Sequence, residues 1–113
     1  MNERDQVYLR HIIEAISQIK TFSTGINSAT ELRDSALQRA GIERMLTVIG
    51  EAAKQVSSDL KEKHPEIPWK EISGMRDKII HHYFGVDYEA VWLTVTTDLP
   101  DLNDKITRIL DNH

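Results

Sequence analysis

Apolar residues recur at three- and four-residue spacing between Arg4 and Lys20, at Tyr8, Leu9, Ile12, Ile13, Ile16 and Ile19. That is the stripe of a half-buried helix. Thr21 to Thr30 carries Ser, Thr, Gly and Asn and reads as a connection. A second stripe, Leu37, Gly41, Met45, Ile49, Ala52/Ala53, Val56 and Leu60, predicts a long helix from Asp34 or Ser35 to Ser57, with Lys61 as its outer limit. Gly41 and Gly50 inside it each cost about 1 kcal/mol relative to Ala, so they are read as sites of close backbone packing. Pro65 and Pro68 end that helix. Pro68 suits the first turn of a short helix over Trp69 to Ser73, and Gly74 can cap it. A third helix is expected from Met75 to Phe84, stopping at Gly85. Asp87 reads as the N-cap of the last helix, whose apolar positions are Trp92, Val95, Leu99, Leu102, Ile106 and Ile109. Its phase carries through Pro100. Either the helix restarts there, capped by Asp98, or it continues with a kink where the Thr96 carbonyl loses its partner. No stretch alternates like a strand. The expected fold is all-α, an up-down bundle of four to five helices forming one domain over residues 1–113.

Composition narrows the function. The chain is 40% hydrophobic and 28% charged, the balance of a globular protein. It has no Cys, which removes disulfides, thiolate metal sites and Cys nucleophiles. No apolar run approaches the ~20 residues of a membrane span, and the acidic start, Met1 to Gln6, is unlike a signal peptide. A cytoplasmic protein with no membrane role is expected. The net charge of −4 is unlike that of a general nucleic-acid binder. Residues 31–80, however, hold nine Lys/Arg against nine Asp/Glu, so the acidic excess lies in the two ends and an anion site is expected in the middle.

The densest chemistry is Gly74-Met75-Arg76-Asp77-Lys78-Ile79-Ile80-His81-His82-Tyr83-Phe84. On an ideal helix, at roughly 100° per residue, Arg76, Ile80, Asp77 and His81 span one arc, with Tyr83 just beyond Arg76. Asp77 and His81 are then an i,i+4 pair in which the carboxylate holds the imidazole. A histidine near neutral pKa moves protons, and an arginine is a permanent bidentate donor to phosphate. Together they match RNA cleavage without a metal or other cofactor: the base takes the ribose 2′-hydroxyl proton and the cation stabilises charge on the phosphorus centre. General acid and general base are both wanted, and a two-fold dimer supplies two Arg and two His around one cleft.

Arg76, four residues, His81, one residue, Tyr83 resembles the Arg-x4-His-x-Tyr motif of the HEPN superfamily, in its HepT-like toxin branch. Ile49-Gly50-Glu51-Ala52-Ala53, Pro68-Trp69, His82-Tyr83-Phe84, Val91-Trp92 and Leu99-Pro100 support it in order over residues 40–102. The resemblance implies a dimer of helical bundles and a metal-independent ribonuclease acting as the toxin of a toxin–antitoxin pair. It implies Arg76 and His81 as catalytic residues in the dimer cleft. It also implies a small nucleotidyltransferase antitoxin of the MntA type, which would transfer AMP to Tyr83. A bulky anion there would block the cleft and repel RNA.

Blander roles compete at each position. An Arg is ordinarily a surface ion-pair partner, and Tyr83 could be an amphipathic core tyrosine. His82 is read as a surface or interface residue. Glu51 is either a buried partner of Arg76 or a solvated carboxylate. Trp69 and Trp92 are read as core anchors. Lys61, Lys63 and His64 either touch RNA or complement the negative end of the second helix. A metal held by Asp77, His81 and His82 is disfavoured because adjacent His point different ways. An alternative function of another class is a non-catalytic helical partner that binds nucleotide or holds a nucleotidyltransferase. A third is a plain dimerisation bundle.

Overall fold

The structure is a computed structural model that describes residues 1–81 and 85–112, with the backbone alone described at 78, 80 and 81. The stripes fold as helices α1 (Glu3–Phe22), α2 (Ala29–Asp34), α3 (Ala36–Gln55), α4 (Ser58–Lys63), α5 (Trp69–Ser73), α6 (Met75–Ile79), α7 (Tyr88–Leu93) and α8 (Leu99–Asp111). A π turn, Thr94–Asp98, joins α7 to α8. Strands β1 (Ile80–His81) and β2 (Gly85–Val86) pair antiparallel, with Ile80 opposite Val86 and His81 opposite Gly85. The fold is all-α apart from this two-residue ladder.

Helix α1 lies along α3 and also touches α8. Leu9, Ile12, Ile16 and Ile19 meet Ile42, Leu46, Ile49 and Ala53 of α3 and Leu99, Leu102 and Ile106 of α8 in one buried cluster. The expected stripe of α3 needs correction. Leu37 is 84% exposed and Met45 only half-buried. A row of four-residue steps drifts about 40° per step around a helix, so Leu37 has turned well away from Ile49 by the time the row reaches it.

The break after α3 also comes earlier than expected. Val56 is extended (ψ 139°), and Ser57 caps α4 by accepting from the Leu60 amide at 3.2 Å. Buried Asp5 on α1 holds this corner: its Oδ1 accepts from the Ser57 amide at 2.8 Å, and its Oδ2 from the Ser57 hydroxyl at 2.6 Å. A buried carboxylate so satisfied fastens the start of the chain to the end of α3 at little net cost.

The last rod resolves the question posed by Pro100. Asp87 caps α7 as expected, accepting from the Ala90 amide at 3.0 Å. Asp98 does not cap; its φ/ψ of −71°/−43° is helical, and the rod runs on through Pro100. The wider turn, in which the Leu99 amide donates to the Thr94 carbonyl, absorbs the proline's missing donor. The buried positions are consequently Val91 and Thr94, then Leu99, a step of five across the π turn, while Trp92 and Val95 are only half-buried.

Candidate functional site

Arg76 and Asp77 sit on α6, and α6 is placed by what precedes it. Trp69 is 7% exposed and its indole Nε1–H donates to the His64 carbonyl at 3.0 Å. Ile72, Met75 and Ile79 continue the same buried face into α6. Gly50 of α3 lets this unit approach closely. A Cβ at Gly50 would lie 3.2 Å from the Ser73 carbonyl oxygen and 3.4 Å from that of Ile72, backbone atoms with little freedom to move. Gly74 ends α5 as expected, at φ −95°.

The expected third helix is shorter than its pattern suggested. It ends at Ile79, not Phe84. Ile79-Ile80-His81-His82-Tyr83-Phe84 is a run of β-branched, imidazole and aromatic residues, poor in helix preference and good in extended backbone. Gly85 has φ +81°, in the left-handed region that glycine occupies freely, and returns the chain so that β2 pairs with β1. The Asp87 amide then donates to the Ile79 carbonyl at 3.0 Å, closing the reversal.

Arg76 and His81 are therefore joined across a helix–strand boundary, and the ideal-helix angles do not describe them. The i,i+4 helical relation expected between Asp77 and His81 is not formed, because His81 lies on β1. Asp77 instead stands beside Arg76, Oδ1 to Nη1 at 3.8 Å, with the side chains 77% and 49% exposed. The guanidinium is thus open to an incoming anion. The His81 side chain, and His82, Tyr83 and Phe84 entirely, lie outside the described residues.

Elsewhere the candidates separate. Glu51 is solvated: it pairs with Lys54 at 3.5 Å and is 65% exposed. Lys63 and His64 line a pocket of about 520 Å³ with Lys105 and Arg108. His64 is engaged by Glu66 at 3.2 Å, and Lys105 by Asp101 at 3.0 Å. Beside α6, Met75 and Ile79 floor a groove of about 440 Å³ whose rim carries Glu71, Asp98 and Asp101. Among the described residues no three His, Asp or Glu side chains gather as metal ligands. No helix among them is long and apolar enough to cross a membrane. The raised pKa of Arg33, caused by its hydrogen bond to Asp34 and then by that carboxylate's charge, concerns an exposed surface pair on α2.

Sequence reading missed a groove between α1 and α3, lined by Tyr8, His11, Arg44, Val48, Glu51 and Gln55. The available signal was Arg4, Tyr8 and His11 at i, i+4 and i+7, one face of α1.

The chain is similar to known proteins over most of its length. A protein of Thermococcus cleftensis described as a probable ribonuclease HepT is 45% identical over 96% of this chain and 98% of its own length. A protein of Caldanaerobacter subterraneus subsp. tengcongensis, provisionally designated an RNase, is 42% identical over 91% of each chain. One from Methanocaldococcus jannaschii with the same provisional designation is 40% identical over 97% of this chain and 91% of its own. No solved structure matches the chain. The profile described as ribonuclease HepT-like matches residues 12–109, from the middle of α1 nearly to the end of α8. A match of that extent, with relatives aligned almost end to end, means that the chain belongs to the HepT-like ribonuclease family.

Proposed function

We propose that this ribonuclease is a metal-independent endonuclease and the toxin of a toxin–antitoxin pair in the cytoplasm, working as a homodimer. The observation that carries the reading is the placement of Arg76, exposed at the start of α6, five residues before His81 at the chain reversal, within a chain that the ribonuclease family spans. In the proposed reaction the His81 imidazole takes the ribose 2′-hydroxyl proton. The 2′-oxygen attacks phosphorus, a 2′,3′-cyclic phosphate forms, and the P–O5′ bond breaks. The imidazolium of the partner subunit returns a proton to the leaving 5′-oxygen, which is why one histidine per cleft is too few. Arg76 binds the phosphate oxygens and meets the extra charge of the transition state. Asp77 supports the pair from beside Arg76, limiting the guanidinium's range. DNA lacks the attacking hydroxyl, so the chemistry itself selects RNA.

The same reading makes Tyr83 the off-switch. Its phenolic oxygen attacks the α-phosphorus of ATP on an MntA-type nucleotidyltransferase, diphosphate leaves, and AMP stays on the ring, two residues from His81. The test is direct. Purified chain should cut RNA in excess chelator and leave 2′,3′-cyclic phosphate ends; loss of cutting in chelator overturns the metal-independent mechanism. Chain co-expressed with the nucleotidyltransferase should carry AMP on the peptide containing Tyr83 and cut no RNA. AMP on another residue, or on none, defeats the switch.

A further inference from the structure

An acidic protein that cuts RNA needs somewhere to hold it beyond the reacting phosphate. We propose that the groove between α1 and α3, lined by Tyr8, His11 and Arg44 with Arg4 at its edge over Tyr8, binds a single-stranded stretch of the RNA substrate. The proposal rests on the ribonuclease reading and adds a second contact surface to it. Arg4 lies over the Tyr8 ring, its Cζ 5.7 Å from the centroid, and donates to Gln55 Oε1 at 2.9 Å. Tyr8 and His11 meet edge to face, their centroids 5.8 Å apart. Arg44 lines the same groove from α3 and is exposed.

Neither Arg4 nor Arg44 has an ion-pair carboxylate among the described residues. Glu51, the acid that lines the groove, is neutralised by Lys54. Two unneutralised guanidiniums beside two rings are the elements of single-strand binding: cations for the phosphates and π faces for the bases. The two other grooves described above lack this set. The one beside α6 has an acidic rim, and in the pocket at Lys63 the His64 ring already faces Glu66 and the Lys105 ammonium faces Asp101. The Arg4–Gln55 bond ties α1 to α3, so the surface is assembled before RNA arrives.

The full chain carrying His81→Ala is titrated against a fluorescein-labelled, mixed-sequence single-stranded RNA by anisotropy, at several salt concentrations. Adding Arg4→Gln and Arg44→Gln, changes at exposed sites, should weaken binding about tenfold and flatten the log–log salt slope by about 1.4, at ~0.7 per lost phosphate contact. Tyr8→Leu should weaken it several-fold and leave the slope unchanged. Equal affinity and slope in the double variant, with helical content intact, overturn the proposal. So does a double variant that still holds RNA but loses an acidic peptide probe, poly-glutamate, that the parent binds, since the surface would then serve a protein. A chain with His81 restored that neither cuts nor binds RNA removes the ribonuclease reading and this surface together. One that cuts, beside a double variant that binds as well as before, removes the surface alone.

Discussion

Replacing His81 with alanine is expected to slow RNA cleavage by about 10²–10⁴-fold, the usual worth of a positioned proton-transfer group. Arg76→Ala should cost about 10²–10³-fold, the scale of losing one preorganised charge donor at the transition state. Arg76→Lys should recover only part of that, since an ammonium keeps the charge and loses the fork that grips two phosphate oxygens. The Arg76 variants should fold as the parent does, because that side chain is 49% exposed and its ion pair with Asp77 at 3.8 Å contributes little to stability. Initial rates on a short fluorogenic RNA, read beside far-ultraviolet circular dichroism, separate chemistry from folding. Growth arrest on expression should disappear with either alanine. Variants that retain their helical content and cut as fast as the parent would end the catalytic assignment.

Trp69→Ala is expected to have the largest effect on stability, about 3–5 kcal/mol. The ring is 7% exposed, and its Nε1–H bond to the His64 carbonyl is lost with it. Against a typical total of about 5–15 kcal/mol, this leaves a marginal protein. With a urea slope of about 1.5 kcal/mol per M, the midpoint should fall by about 2–3 M. Trp69→Phe keeps most of the packing and forfeits the donor, for about 1 kcal/mol. The reason to expect more than lost stability is position. Trp69 opens α5, α5 runs through Gly74 into α6, and α6 carries Arg76. Activity should therefore fall in the alanine variant even at temperatures where it remains folded. A midpoint shift under about 1 M would mean that the unit at α5 is held by Ile72, Met75 and Ile79 without the indole.

Much of this was legible along the chain because it is local. The inward residues of α1, the turn at Pro68 and Gly74, and the Asp87 cap each follow from a few neighbouring positions. Two readings failed where local signals compete. Periodicity alone let the third helix run to Phe84, since apolar and polar residues still alternate there in near-helical order. Propensity pointed the other way, and with Gly85 free to turn the chain, propensity decided the end at Ile79. The second failure was α3, where a plausible row of apolar residues drifted off the face that α1 covers and left Leu37 in water. The candidate site divides in the same way. The residue types of the motif and the family to which they point were readable; how Asp77 stands beside Arg76 was not, because that depends on where the helix stops. The groove at Tyr8 was legible only in half: Arg4, Tyr8 and His11 share a face of α1, but Arg44 reaches it from a different helix.

The π turn at Thr94–Asp98 has a bearing on which changes the chain can absorb. It holds one residue more than an ordinary turn of the same span, so the two halves of the rod are indexed differently: Val91 and Thr94 face inward by one count, Leu99, Leu102 and Ile106 by another. Removing a single residue between 94 and 98 would turn the step of five into an ordinary step of four and keep both faces inward, whereas adding one more would swing α7 by about 100° relative to α8. Val91 would be carried out of the core, and the Asp87 cap and the strand that backs His81 would be dragged with it. Substitution in that stretch alters a side chain, whereas an insertion re-aims the whole reversal, so the gene should drift there by point changes or by loss of the one extra residue and should not lengthen.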